Sequence, residues 1–233
     1  MLILCDRKMP QAAKAKLADY GEVVEFATQG ITYEAISGHP DIFFCPTPGG
    51  LIVAPNLPEK YCEILTHHNI QYITGQFGVG KVYPESARYN SLVTGNFLIQ
   101  NSAISDPSIS QLNPDLEIIS IKQGYVRCNF IALPNSTFMT SDHGIKKAFI
   151  KKGFEVLFVN PTGVKLDGFK HGFFGGTCGL YENTLFMCGS LHYYTEKEII
   201  ESYLAKAEVQ LIELYNGQPE DVGTIMFLEE RLT

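Results

Sequence analysis

The chain has 233 residues, of which 45% are hydrophobic and 18% are charged, a balance typical of a globular protein with a sizeable core. Its formal net charge of −7 argues against a nucleic-acid partner, because phosphate binding needs a clustered basic surface and the sequence shows none. No apolar run approaches the length of about 20 residues that a membrane-spanning helix needs, so no membrane partner is expected.

Taken in chain order, five short apolar runs rich in β-forming residues recur at intervals of about 40 to 49 residues. They are LILCD from Leu2, LIVAP from Leu51, FLIQN from Phe97, TFMTS from Thr137 and LFMCG from Leu185. Each run precedes a segment with apolar residues three and four apart, which predicts an amphipathic helix. The third of these segments contains Pro107 and Pro114, so its helix is expected to be short or broken.

Two further strands are predicted in every copy. The second strands are VVEF from Val23, IQYIT from Ile70, LEIISI from Leu116, FEVLFV from Phe154 and VQLIEL from Val209. The third strands are IFFCPT from Ile42, SLVTG from Ser91, NFIAL from Asn129, GTCGL from Gly176 and GTIMF from Gly223. Turn residues join each third strand to the next first strand, as in a hairpin. The unit is therefore β-α-β-loop-β, repeated approximately over residues 1–50, 51–96, 97–136, 137–184 and 185–233.

The two ends of this pattern are complementary. The chain begins on a first strand and reaches a third strand at residues 224–228, so these two strands can pair as the internal hairpins do. The sequence thus predicts a single α/β domain over residues 1–233, built as a five-fold pseudosymmetric propeller. An ordinary doubly wound sheet is the alternative, although it does not require a hairpin at every junction.

Cysteine usage indicates a cytoplasmic protein without metal or cofactor. The six cysteines are Cys5, Cys45, Cys62, Cys128, Cys178 and Cys188. They form neither a C-x-x-C pair nor a zinc spacing, and the first apolar run is too short for a secretory signal, so reduced thiols are expected.

The stretch GQFGVGK from Gly75 matches a phosphate-binding loop, but Val82 stands where Ser or Thr is needed and Pro84 opposes a helix start. Nucleotide binding at this stretch is therefore not expected.

The five-fold β-α-β-β arrangement resembles the pentein fold of the guanidine-modifying superfamily, which includes arginine deiminases, dimethylarginine hydrolases, amidinotransferases and agmatine deiminases. The likeness covers the whole chain in its repeat pattern. Four stretches also resemble a divergent bacterial branch of that superfamily: SGHPDIFF from Ser37, VYPESARYNSLVTGNF from Val82, QGYVRCN from Gln123 and FFGGTCGL from Phe173. The resemblance implies a central channel in which carboxylates hold a guanidinium, a cysteine of the last copy attacks its carbon, and a histidine of the preceding copy moves the proton.

Two positions depart from that pattern. His171 stands where the family carries an HxD-type motif, but Phe173 occupies the place of the acid. The last strand matches the family segment G-x-I-x-C, with Phe227 in place of the nucleophilic cysteine. Because a phenyl ring cannot attack carbon, the usual chemistry by the usual route is not expected.

Two other thiols are candidate nucleophiles beside His171. Cys178 lies seven residues after His171, a spacing that puts two side chains on opposite faces of a regular strand unless a bulge at the intervening glycines corrects it. A glycine-lined corner is the alternative. Cys128 follows Arg127, whose positive charge is expected to lower the pKa of the thiol. A buried, unreactive thiol is the alternative there.

Polar residues also gather where the third strands begin, the ends that would surround a channel. The candidate ligand-binding residues are His39, Asp41, Glu85, Tyr89, Asn90, Tyr125, Arg127 and Asp221. Any one of them could be a turn or cap residue, since Asp and Asn favour such places for local reasons. Their recurrence at one topological position favours a small-molecule site.

These observations predict a cytoplasmic protein that binds a guanidino, ureido or amino-acid-like ligand and is related to guanidine-modifying hydrolases. Two alternatives stay open. One is a hydrolase of amidine or guanidine C–N bonds with a relocated thiol, and the other is a protein-interaction module without enzymatic activity. The sequence does not indicate an oligomeric state.

Overall fold

A computed structural model describes residues 1–229 of the chain. Within that range the secondary structure comprises fifteen strands, six α-helices and several short 3₁₀ turns. The strands are β1 (Leu2–Asp6), β2 (Glu22–Phe26), β3 (Phe44–Thr47), β4 (Gly50–Val53), β5 (Tyr72–Thr74), β6 (Leu92–Thr94), β7 (Phe97–Gln100), β8 (Glu117–Ser120), β9 (Phe130–Leu133), β10 (Thr137–Thr140), β11 (Val156–Phe158), β12 (Cys178–Tyr181), β13 (Thr184–Met187), β14 (Gln210–Glu213) and β15 (Met226–Leu228). The helices are α1 (Gln11–Leu17), α2 (Glu59–His67), α3 (Pro107–Gln111), α4 (Val126–Asn129), α5 (His143–Lys151) and α6 (Lys197–Lys206).

The strands form five three-stranded sheets that share one design. The sheet orders are β15-β1-β2, β3-β4-β5, β6-β7-β8, β9-β10-β11 and β12-β13-β14. In each, the middle strand pairs antiparallel with one neighbour and parallel with the other. The predicted α/β class is confirmed. So is the predicted pairing of the end strands, in which Leu2 lies opposite Leu228 and Leu4 opposite Met226.

The middle strands carry the core, and the helices cover the sheets with one apolar face. Leu4, Ile52 and Phe186 on three middle strands are at most 1% exposed. The α2 helix buries Tyr61 and Leu65, which are four residues apart and so lie on one face. The predicted short helix of the third copy is confirmed, since α3 has only five residues.

Residues of β3, β6, β9, β12 and β15 line one common cavity, and we call these five strands the inner strands. All five begin later than the sequence pattern predicts. Short helical turns precede four of them: Pro40–Ile42, Glu85–Ala87, α4 and Gly175–Thr177. Pro40 has no N–H for sheet pairing and favours the first position of a helical turn. Before β15, Thr224 has a φ of 68°, outside the strand region. The polar residues predicted at the strand starts therefore lie on turns, which aim them differently from strand side chains.

Candidate functional site

These turns bring together a buried polar cluster, which consists of the side chains of Asp6, His39, Asp41, Asn90, Cys128, Asp221 and Thr224. At its centre is the carboxylate of Asp41, which is fully buried. Its Oδ2 accepts hydrogen bonds from Cys128 Sγ at 2.8 Å and from Thr224 Oγ1 at 3.0 Å. Its Oδ1 has no hydrogen-bond partner. One oxygen of this carboxylate is thus fully used and the other is free.

The amide of Asn90 holds three copies of the repeat in register around Asp41. Its Nδ2 donates to the backbone oxygen of Asp41 and to the Sγ of Cys128, both at 3.3 Å. Its Oδ1 accepts from the backbone N–H of Arg127 at 2.8 Å. Because Asn90 is fully buried and uses both ends of its amide, it fixes the relative positions of the Asp41 turn and α4.

A second part of the cluster places His39 between two carboxylates. Its Nε2 lies 3.7 Å from Asp6 Oδ2 and its Nδ1 lies 3.9 Å from Asp221 Oδ1, distances too long for hydrogen bonds. His39 Nε2 has no hydrogen-bond partner, although the ring is 2% exposed. Asp221 accepts from the backbone N–H groups of Phe173 at 2.8 Å and Gly223 at 3.1 Å.

Glycine is required where the backbone passes closest to these groups. A Cβ on Gly176 would lie 2.0 Å from Asp221 Oδ1, and a Cβ on Gly223 would lie 2.1 Å from the Cβ of His39. Gly223 also has a φ of 66°, which side chains rarely adopt. The glycines beside Cys178 thus form a tight turn against Asp221, as the glycine-lined-corner interpretation of this stretch predicts.

Burial dominates the electrostatics of the cluster. It raises the pKa of Asp41 and of Asp6 to about 6 and that of Asp221 to about 7. It lowers the pKa of His39 to about 3, so the imidazole is neutral near pH 7. The Arg127 guanidinium opposes the shift of the Asp41 pKa only in part. The cluster therefore contains three buried carboxyl groups, and the half-buried cation of Arg127 lies close enough to interact with one of them, Asp41.

The thiols do not behave as the sequence suggests. Burial raises the pKa of Cys128 well above its ordinary value, and the charges of Asp41 and Asp221 raise it further. The expectation that Arg127 lowers this pKa is wrong, because desolvation and the carboxylates outweigh one nearby cation. Burial also raises the pKa of Cys178 to about 12.

His171 and Cys178 do not form a dyad. The Nδ1 of His171 is 2.9 Å from the backbone oxygen of Gly172, and the Sγ of Cys178 is 3.2 Å from the hydroxyl of Thr177. Across residues 1–229, no hydrogen bond joins the two candidate groups. The bulge that could have brought them together is a 3₁₀ turn, Gly175–Thr177, and it precedes β12.

The remaining candidates divide into those near the cluster and those that point away. Tyr125 lies beside it, with its hydroxyl 2.7 Å from Ser86 Oγ and 3.3 Å from the hydroxyl of Tyr33. Tyr89 is buried elsewhere and donates to the backbone oxygen of Phe77 at 2.7 Å. Glu85 is exposed and lies 3.9 Å from Arg88. The structure thus gathers His39, Asp41, Asn90, Arg127, Cys128 and Asp221, whose binding roles stay predictions.

Sequence reasoning missed two members of the cluster, Asp6 and Thr224. Asp6 ends the first strand, LILCD, as an acid following a buried strand, and this signal was available. Thr224 lies inside the predicted last strand, where alternation gives no reason to single it out. In the structure its backbone is left-handed, not extended, and its hydroxyl donates to Asp41.

Two cavities adjoin the cluster. The axial cavity, of about 260 Å³, is lined by residues of all five inner strands and reaches Arg127 and Thr224. The side cavity, of about 280 Å³, is lined by Asp6 and Asp221 together with Lys8 and Lys165. The cluster therefore lies between two spaces that can hold small molecules.

The accessibility of the thiols predicts the order in which they react. Cys62 is half-buried, whereas the other five cysteines are buried. We expect iodoacetamide near neutral pH to modify Cys62 first and the other five only on unfolding, because alkylation needs an accessible thiolate. Peptide mass spectrometry over time measures this, with Cys62→Ser as the control. Rapid labelling of Cys128 or Cys178 in the folded protein would contradict it.

The described residues show neither a group of metal-ligating side chains nor a membrane-spanning helix. Among residues 1–229, no three His, Cys, Asp or Glu side chains are grouped so that they could hold a metal ion. In the same range, no helix has the length and apolar character needed to cross a membrane.

This chain matches one protein-family model, and its fold is similar to those of several solved structures. The model of "Family of unknown function (DUF6873)" matches residues 4–226. No curated protein matches the chain. Among solved structures, a mutant of DDAH from Pseudomonas aeruginosa complexed with citrulline is 9% identical with a TM-score of 0.55, covering 93% of this chain and 82% of that one.

Two further structures are similar over most of their length. Agmatine deiminase of C. jejuni is 13% identical with a TM-score of 0.54, covering 93% of this chain and 80% of that one. An amidinotransferase of Microseira wollei in the saxitoxin biosynthetic pathway is 10% identical with a TM-score of 0.52, covering 88% and 78% respectively. At these identities the likeness shows the fold alone, and that fold is the pentein fold.

Proposed function

This chain belongs to DUF6873, a family of unknown function, and from that premise we propose that it binds a small guanidino, ureido or amino-acid-like ligand at the buried polar cluster. The observation that carries the proposal is the free Oδ1 of Asp41. A buried carboxylate oxygen without a donor costs about 1–3 kcal/mol or more, so a protein that keeps one has a use for it. A ligand N–H group would supply the missing donor.

The charges around Asp41 favour a ligand with several N–H donors. The carboxylates of Asp41 and Asp221 repel each other, and the charge of Asp41 contributes to the raised pKa of Asp221. A planar cation placed between such carboxyl groups would donate forked hydrogen bonds and offset this repulsion. The fold supports the same class of ligand, because its solved relatives include an agmatine deiminase and an amidinotransferase.

We further propose that the five sheets surround one axis as the blades of a propeller. Two observations support this arrangement: β1 pairs with β15, and the inner strands β12 and β15 contact each other as β3 and β6 do. A single cavity that touches all five inner strands fits an axial channel. The cluster would then lie at one end of that channel.

The position of Phe227 favours binding over the usual thiol chemistry. Its ring centroid lies 4.9 Å from that of Phe186 and 5.4 Å from that of Tyr181, so it packs as an apolar side chain. We propose that Phe227 replaces the nucleophile of the related enzymes. The six free cysteines also favour action in the cytoplasm, where thiols stay reduced.

Thermal denaturation against a panel of guanidino compounds, ureido compounds and free amino acids tests this function. A ligand at a hundredfold its dissociation constant should stabilise the protein by about 2.7 kcal/mol, or roughly 5–10 °C. Asp41→Asn should abolish the shift, whereas Asp19→Asn, which removes the same charge from an exposed position, should preserve it. A flat panel, or an equal shift in both variants, would overturn the proposal and direct the search to protein partners.

A second candidate function is hydrolysis of an amidine or guanidine C–N bond by Cys128, favoured by the 2.8 Å contact between its Sγ and Asp41 Oδ2. Asp41 would take the thiol proton, the thiolate would add to the amidine carbon, and that proton would leave with the amine. Water would then cleave the C–S bond and restore the thiol. Release of amine that is lost in Cys128→Ser, with a covalent adduct on Cys128 by mass spectrometry, would establish it.

A further inference from the structure

The axial cavity has the features of a second binding site, distinct from the buried polar cluster. Its lining includes one half-buried apolar residue from each inner strand: Pro46, Val93, Ala132, Leu180 and Phe227. Most of its other lining residues are apolar as well, and Ile225 and Met226 among them are buried. A space of about 260 Å³ with such walls suits the apolar body of a small organic molecule.

The lining of this cavity carries a single charge. Among the described residues that line it, Arg127 is the one charged side chain, and no carboxylate joins it. The Nε of Arg127 is buried without a hydrogen-bond partner. Its Nη2 makes a long contact of 3.4 Å to the backbone oxygen of Pro46, and the guanidinium also donates to the thiol of Cys45. The guanidinium therefore retains donors for a ligand that enters the cavity.

Asp41 does not satisfy these donors, although its charge is close enough to interact with Arg127. The free Oδ1 of Asp41 and the free Nε of Arg127 have opposite character, yet they are not hydrogen-bonded to each other. Each atom consequently needs a separate partner, a donor for Asp41 and an acceptor for Arg127. A carboxylate is the acceptor whose two oxygens match the planar fork of a guanidinium.

We propose that the axial cavity binds a small apolar monocarboxylic acid, whose carboxylate accepts from the Arg127 guanidinium and whose hydrocarbon part lies against the inner strands. Benzoate and hexanoate represent this class. Their neutral amides have the same shape without the charge, and benzylamine reverses it. The proposal does not depend on cation binding at Asp41.

Isothermal titration calorimetry with benzoate, benzamide and benzylamine tests the site. We expect benzoate to bind in the millimolar range or tighter, and benzamide to bind at least about tenfold more weakly. Arg127→Gln should weaken benzoate binding by about 10- to 100-fold, because it removes a charge-assisted fork. Arg7→Gln removes one exposed positive charge elsewhere and should leave the affinity unchanged.

Two further variants locate the site and separate it from the cluster. Ala132→Phe should block the cavity and abolish benzoate binding, and Val93→Phe is the second choice if that variant fails to fold. Asp41→Asn should leave benzoate binding intact or tighten it, whereas it should abolish the thermal shift with guanidino ligands. Equal binding of benzoate and benzamide, no benzoate binding, or full affinity in Arg127→Gln would each overturn the proposal.

Discussion

Asp41→Asn is expected to raise the free energy of unfolding by about 2–3 kcal/mol at about pH 8, against the usual trend that substitutions in a core destabilise. The amide keeps the shape of the carboxylate, and its oxygen can accept from Cys128 and Thr224 as Oδ2 does. Its NH₂ group would take the place of Oδ1, which has no donor to lose. The variant therefore removes a buried charge while retaining both hydrogen bonds.

The gain should depend on pH in a definite direction. The pKa of Asp41 is about 6 in the folded protein against an ordinary value of 3.8, so the folded state holds this proton more tightly. Its contribution to stability is fully present below about pH 4 and is lost as the pH rises through about 6. The asparagine side chain in the variant has no ionisable group, so this contribution is absent from it. The difference between the two proteins should thus be small near pH 4 and grow up to about pH 6. Because the charge of Asp41 also contributes to the raised pKa of Asp221, which is about 7, the difference should become constant only above about pH 7.

Urea denaturation of both proteins across this pH range measures the difference directly. His39, whose pKa is about 3, acts in the opposite sense, but it is present in both proteins and cancels. Asp19→Asn, at an exposed position, should change stability little at any pH. A variant less stable than the wild type at about pH 8 would show that the Asp41 charge is stabilised in the folded protein.

Gly223→Ala should destabilise the protein by about 3–5 kcal/mol, because two penalties coincide at this residue. The left-handed φ of 66° strains any side chain, and the new Cβ would lie 2.1 Å from the Cβ of His39. The Gly223 backbone also bonds the turns together, since its oxygen accepts from Asp41 N and its N–H donates to Asp221. Moving it would disturb both carboxyl groups.

Gly30→Ala is the matched control, since Gly30 has a similar φ of 73° with nothing within 4 Å of the added Cβ. In this variant the free energy of unfolding should fall only by the cost of the left-handed backbone, about 1 kcal/mol. Thermal and urea unfolding of the two variants separate the steric penalty from the backbone penalty. Equal losses at both positions would mean that His39 can move aside, and that the cluster is less tightly built than its distances suggest.

Much of the fold could be predicted from the sequence because strand periodicity and hairpin turns are local signals. The run LILCD matches β1 over its whole length, and the short helix α3 follows from its prolines. The starts of the inner strands were harder to predict. At Ile42 and Gly223 an apolar or glycine residue suits both a strand and a turn, and buried polar contacts decide between them.

Recurrence of polar residues at one topological position predicted which residues the candidate site gathers, but it could not distinguish between neighbours in the sequence. Tyr89 and Asn90 are adjacent, yet Asn90 reaches Asp41 while Tyr89 reaches Phe77. The direction of a side chain on a helical turn depends on where that turn begins, which the sequence left uncertain by one or two residues. The pKa of Cys128 likewise depends on carboxyl groups from distant copies, which no local pattern contains.

The pairing of β1 with β15 has a consequence for synthesis of the chain. A ribosome releases β1 more than 200 residues before β15, so one edge of β1 stays without its partner until the residues between the two strands have emerged. His39 likewise precedes Asp221 by 182 residues, and Asp41 precedes Thr224 by 183 residues. Completion of the first sheet and assembly of the polar cluster therefore belong to one late event, and a nascent chain stalled before Asp221 would expose an unpaired strand edge to other chains.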